Sequence, residues 1–104
     1  MENKNIGIAY FTNPAMENES FGKEVNGIMT SVARQTPVRK INTETEVTIV
    51  EELKPQQTPS IIFTDALGKL EHLRIEGVQL KGITVEKVME TVEAIDRFNK
   101  TGKI

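Results

Sequence analysis

The sequence predicts a small α/β domain: a mixed four-stranded sheet in the element order β-α-β-α-β-β-α, with helices on both faces. Three observations carry that reading. The run Ile6-Gly7-Ile8-Ala9-Tyr10-Phe11 is short and almost wholly apolar, the pattern of a strand covered on both sides. Two longer stretches, over residues 21–32 and 85–98, repeat apolar side chains at helical spacing. Between them Pro59 opens a second apolar run, Ser60-Ile61-Ile62-Phe63, and a turn leads to another β-prone segment starting at Leu70.

Each element has its own signals. Thr12-Asn13-Pro14-Ala15 breaks the first strand with turn chemistry. Phe21, Val25, Ile28, Met29 and Val32 then make one helical stripe, with Ser20 the expected N-cap and Asn18 an alternative start. Gly22 and Gly27 fall inside this helix, where each costs about 1 kcal/mol relative to alanine. They either admit another backbone or simply weaken the helix. Pro37 stops it, because proline disfavours helical geometry in the residue before it.

Val38-Arg39-Lys40-Ile41 reads as the second strand. Thr43-Glu44-Thr45-Glu46 has capping-box spacing, so a short helix carrying Val47, Val50 and Leu53 is expected to follow, ending at Lys54-Pro55. Its β-branched residues make it intrinsically weak, so packing must hold it. Residues 60–64 form the third strand, and Asp65 to Lys69 is a hairpin turn in which Gly68 can take positive φ.

In residues 70–76, Leu73 and Ile75 are assigned to a buried face and His72 and Arg74 to a wet one, which suits an edge or near-edge strand. Residues 77–82 read as a loop. Val85, Val88, Met89, Val92, Ile95 and Phe98 define the last helix, capped by Thr84, stapled by Ile83 on Val88 and stopped by Gly102. The first β-α-β unit is expected to be parallel with a right-handed crossover, and the final hairpin antiparallel.

Composition narrows function mainly by exclusion. With 104 residues, 38% hydrophobic and 27% charged, the chain reads as one domain over residues 1–104. Net charge is −2 and the basic residues are scattered, so neither a nucleic-acid nor a membrane partner is expected. No apolar run is long enough to span a bilayer, and the polar N-terminus lacks a signal segment, so the expected location is cytoplasmic.

The chain contains no cysteine, which removes disulfides, thiolate catalysis, iron–sulfur clusters and thiolate zinc sites. One histidine, His72, makes no imidazole cluster, and no loop has calcium-binding spacing. No catalytic residue, metal or cofactor is expected.

Thr58-Pro59 before the apolar strand, Asp65…Gly68-Lys69 after it and Gly77 at the end of the next strand, set in this element order, resemble the thioredoxin superfamily. The resemblance covers about residues 6–98. It implies a thioredoxin-like fold with a cis-proline at Pro59. The departure is at the catalytic loop, where family members carry Cys-x-x-Cys. Either Asn13-Pro14-Ala15-Met16 or Met16-Glu17-Asn18-Glu19 can lie over that motif, and neither contains a thiol. Dithiol–disulfide exchange through an active-site pair is therefore excluded by chemistry.

The function this implies is a non-redox protein- or peptide-binding module. Its groove would comprise Asn13, Pro14, Met16, Ser20, Thr58, Pro59 and Gly77. Thr58 would offer backbone hydrogen bonds to an extended peptide, with Pro14, Met16 and Pro59 supplying apolar contact. Two alternatives stand beside it. One is a glutathione-binding or transferase-type enzyme that holds glutathione at Thr58-Pro59 without a cysteine nucleophile; the other is an architectural homodimer subunit. The expected state is accordingly monomer or homodimer.

Other polar residues have plainer roles. Ser20 lacks a neighbouring base and serves better as a cap than as a nucleophile. Tyr10 belongs to an apolar run and reads as core. Glu17, Glu19 and Glu24, with Glu44, Glu46, Glu51 and Glu52, read as solvated faces favourably placed near helix starts. His72 has no acid adjacent in sequence.

Overall fold

A computed structural model describes the backbone over residues 6–65 and 71–101, and side chains through Phe98. Four strands make one sheet in the order β2-β1-β3-β4: β1 (Ile6–Thr12), β2 (Val38–Asn42), β3 (Ser60–Asp65) and β4 (Glu71–Glu76). The helices are α1 (Pro14–Glu17), α2 (Ser20–Val32), α3 (Val47–Leu53) and α4 (Val85–Thr101), and a 3₁₀ turn covers Gly77–Leu80. β1 runs parallel to β2 and antiparallel to β3, which is antiparallel to β4. The expected mixed sheet is present, with β4 at its edge.

The period of two in β1 and β3 divides the apolar residues between two cores. Ile6, Ile8 and Tyr10 of β1 and Ile61 and Phe63 of β3 face α2 and α4, where Val25, Met29, Val32, Val88 and Val92 complete the larger core. Ala9, Phe11 and Ile62 face the other way and pack with Ile41 and Leu53, against which Ile49 and Val50 of α3 lie. The apolar runs are continuous because both faces are covered. Phe11 and Phe63 are fully buried, and burying each aromatic stabilises the fold by about 1.5–3 kcal/mol.

Several local expectations change. Residues 14–17 form a helical turn, α1, with Asn13 as its N-cap accepting from Met16 N at 2.8 Å. Ser20 is the first residue of α2, not its cap; Glu19 holds that position without a side-chain cap bond. The capping box at Thr43 does not form. Glu46 is the N-cap position of α3 and reaches one residue further back, accepting from Asn42 N at 3.1 Å. Thr43 instead accepts from the Asn13 amide at 3.0 Å. Val47 is exposed, and Ile49 takes its expected place beside Val50 and Leu53.

On β4, Phe63 pairs with Leu73 and Thr64 with Glu71, so His72 is the extra residue of an irregularity in the ladder. Such a bulge interrupts in–out alternation. His72 is half-buried, and Leu73, expected inside, is 44% exposed on this edge strand. Phe98, also expected in the core, is 44% exposed near the end of α4.

The residue 77–82 loop contains the 3₁₀ turn. Thr84 does cap α4, accepting from Lys87 N at 3.1 Å. The Asp65–Lys69 turn with Gly68, and the Gly102 stop, lie outside the described residues apart from Asp65 itself. Among the described residues no helix is long and apolar enough to cross a membrane.

Candidate functional site

Strand register brings three segments to one end of the sheet. Phe11 pairs with Ser60, and Ser60 with Glu76. The chain leaving β1 at Asn13, the chain entering β3 at Thr58-Pro59 and the chain leaving β4 at Gly77 therefore lie side by side. The peptide bond between Thr58 and Pro59 is cis, and Gly77 N donates to Pro59 O at 2.8 Å. Among the described residues neither the N–H nor the C=O of Thr58 bonds another backbone group.

Along the first wall, Asn13 is committed to structure. Its side-chain oxygen caps α1 and its amide donates to Thr43. What α1 presents outward is Pro14 and Ala15, both exposed, with Met16 half-buried. Gly22 explains how α1 sits so close to α2. A Cβ at Gly22 would lie 1.8 Å from Met16 O, so only glycine admits this approach. Gly27 has nothing near it; the two glycines take different alternatives. Ser20 is exposed at the start of α2.

On the other walls, Thr58 is half-buried while Pro59 is buried, so the ring of Pro59 offers little outward surface. Gly77 has φ +57 and is buried. A Cβ there would lie 1.6 Å from Gln57 Oε1, so the Gln57 side chain lies directly against it. The next residue, Val78, is 69% exposed, the most exposed large hydrophobic of those described. In the sequence it falls within the residue 77–82 loop. The signal that could have found it is an aliphatic residue directly after a glycine at a strand end.

A polar cleft of about 280 Å3 opens at the ends of β1 and β2 and shares Asn13 and Pro14 with the first wall. Its Lys40 pairs with Glu17 at 2.8 Å, and its Glu46 pairs with Arg39 at 3.5 Å. The Tyr10 phenol beneath this end is pushed up to about 12, chiefly by burial; it is not poised for proton transfer near neutral pH. Among the described residues no group of three or more metal-ligating side chains occurs.

Opposite, on the α3 face, Arg74 does not project into water as expected. Its Nε and Nη2 donate to the two oxygens of Glu71, both at 2.6 Å. Nη1 donates to Glu76 at 2.7 Å and to Lys54 O at 3.0 Å, and Nη2 also donates to Leu53 O at 2.7 Å. The guanidinium thus closes the C-terminal end of α3, where free carbonyls and the helix dipole favour a cation. These bonds hold Glu71 below the usual carboxylate range.

No protein-family model matches the sequence, and no curated protein matches it. Solved structures do match in shape. A mutant thioredoxin from Halobacterium salinarum superposes with a TM-score of 0.70 at 12% identity, covering 89% of this chain and 76% of that one. The germline-specific thioredoxin Deadhead from Drosophila melanogaster gives 0.65 at 16%, covering 88% and 82%. Chloroplastic thioredoxin z gives 0.65 at 21%, covering 91% and 81%. At these identities the likeness concerns backbone architecture. The chain has the thioredoxin fold, built without a cysteine.

Proposed function

We propose that this chain is a non-redox binding module that takes an extended polypeptide segment across the sheet end formed by α1, Thr58-Pro59 and Gly77-Val78. One observation carries the reading: the Thr58 peptide groups are unbonded at the sheet end where the segments carrying exposed Pro14, Ala15 and Val78 also emerge. Backbone pairing at Thr58 supplies affinity, and apolar contacts at Met16 and Val78 supply selectivity, the division of labour in β-strand addition. The absence of cysteine leaves recognition as the property this region retains.

The test is a selection of phage-displayed random peptides on the intact chain, followed by amide NMR titration with the tightest synthetic peptide. Shifts centred on Thr58, Gly77 and Val78, and loss of binding in V78S and M16S, are expected. Selected peptides that shift only other surfaces would refute the reading.

A second reading, an architectural homodimer, is favoured by exposed Leu73 beside α4, where a broad groove of about 940 Å3 also includes Met89 and Ile95. Light scattering separates the two: a dimer that L73S converts to monomer supports the second reading.

A further inference from the structure

Residues 57–58 form an arch whose two feet stand on consecutive residues of one strand end. At one foot, Gln56 N donates to Glu76 Oε1 at 2.9 Å. At the other, Gly77 N donates to Pro59 O at 2.8 Å. The Gln57 side chain lies on Gly77 between them. The first foot is a side-chain bond, and Glu76 can make it only while its carboxylate is held in place. Arg74 holds it, donating to Glu76 Oε2 while gripping Leu53 O and Lys54 O just upstream.

All five N–H donors of Arg74 are used, and the Glu76 side chain is only 8% exposed. Glu76 also accepts from the 3₁₀ turn's backbone while Gln79 returns a bond to Glu76 N at 3.0 Å. One ionic pair therefore ties the end of α3, the arch and the turn carrying Val78 into a single unit.

We infer that Arg74 and Glu76 are positioning residues for the binding edge: their pairing presets the arch so that Thr58 is offered in one orientation. This rests on the binding reading above. A lysine cannot substitute, because a single ammonium cannot span two carbonyls and two carboxylates as the planar fork does.

The experiment compares R74Q, R74K and E76Q with wild type in the intact chain. V92A serves as a control whose stability loss arises in α4, remote from the arch. Native-state hydrogen exchange at the Gln56 and Gly77 amides, the two bonded feet of the arch, is read at matched global stability. In the Arg74 and Glu76 variants exchange there should quicken about tenfold over V92A, as expected when a local opening is released from the global one.

If the arch then occupies its binding geometry about a tenth of the time, Kd for the phage-selected peptide should rise about tenfold. E76Q keeps the shape of the side chain and so answers the question even if R74Q folds poorly. Exchange at Gln56 and Gly77 no faster than in V92A would overturn the inference. A peptide that never perturbs Thr58 or Val78 would refute the binding reading, while exchange would still decide the lock.

Discussion

Gly22→Ala and Gly27→Ala make the sharpest test of the described packing, because they are the same change in the same helix with opposite expected signs. Replacing glycine by alanine within a helix ordinarily stabilises by about 1 kcal/mol. At Gly27 nothing lies within 4 Å of the new methyl, so that gain should appear in full. At Gly22 the methyl would sit 1.8 Å from Met16 O and 2.6 Å from Met16 C. These are backbone atoms, and Met16 O also accepts from Glu19 N at 3.1 Å.

Ordinary contact requires α1 to retreat by about 1.6 Å. Overpacking of this kind costs up to about 3 kcal/mol, so a net loss of about 2 kcal/mol remains after the propensity gain. Thermal and urea unfolding followed by circular dichroism should show Tm raised by roughly 4–8 °C in G27A and lowered by about twice that in G22A. Amide shifts over residues 13–18 should move in G22A only. A G22A protein as stable as wild type would refute the seating of α1 on α2, and with it the first wall of the proposed binding edge.

Three further outcomes follow from individual contacts. Gly77→Ala should destabilise by about 1–3 kcal/mol because its φ is +57 and its methyl meets Gln57; adding Gln57→Ala should recover the steric share alone, as a double-mutant cycle in urea would report. Tyr10 keeps its proton to about 12 in the folded chain but only to 10.0 when exposed. The stability this represents is intact below pH 10 and lost as pH rises from 10 to 12. It amounts to about 2–3 kcal/mol, and Tyr10→Phe should flatten unfolding midpoints across that window. Glu71 has the opposite sign: its lowered pKa stabilises at neutral pH and that contribution vanishes as pH falls through the folded value. Glu71→Gln should therefore reduce the acid-side slope of the urea midpoint.

The fold was legible where burial and periodicity point the same way. Ile6, Ile8 and Tyr10 against Ala9 and Phe11, and the stripes of α2 and α4, needed only strand and helix periods to assign. Legibility failed where a side chain's partner is distant in sequence. Arg74 looks like a solvated strand residue because Leu53 and Lys54, its acceptors, lie 21 and 20 positions away. Glu46 has capping-box spacing from Thr43, yet its carboxylate accepts from Asn42 N, where β2 ends. His72 and Leu73 depart from in–out alternation at a register shift that is invisible in the sequence pattern. Thr58-Pro59 and Gly77 are readable as neighbours at one sheet end, where the strand register places them. Asn13 proved a cap, Pro59 is buried, and Val78 was overlooked.

Single exposed aliphatic residues are common and by themselves carry no functional meaning. Leu73 and Phe98 are exposed to a similar degree on the α4 side. Val78 differs in the company it keeps. The turn that carries it is fixed at both ends, by the Glu76–Gln79 exchange and by Lys81 N donating to Val78 O at 3.1 Å. An apolar side chain held this firmly outward loses little further conformational entropy on contact, which is the usual source of preorganised affinity. Beside it lie peptide groups of Thr58 that the described fold does not use. A rigid apolar anchor next to an unused pair of backbone bonds is the chemistry an extended chain requires, and the neighbouring Leu73 surface offers only the apolar half of it.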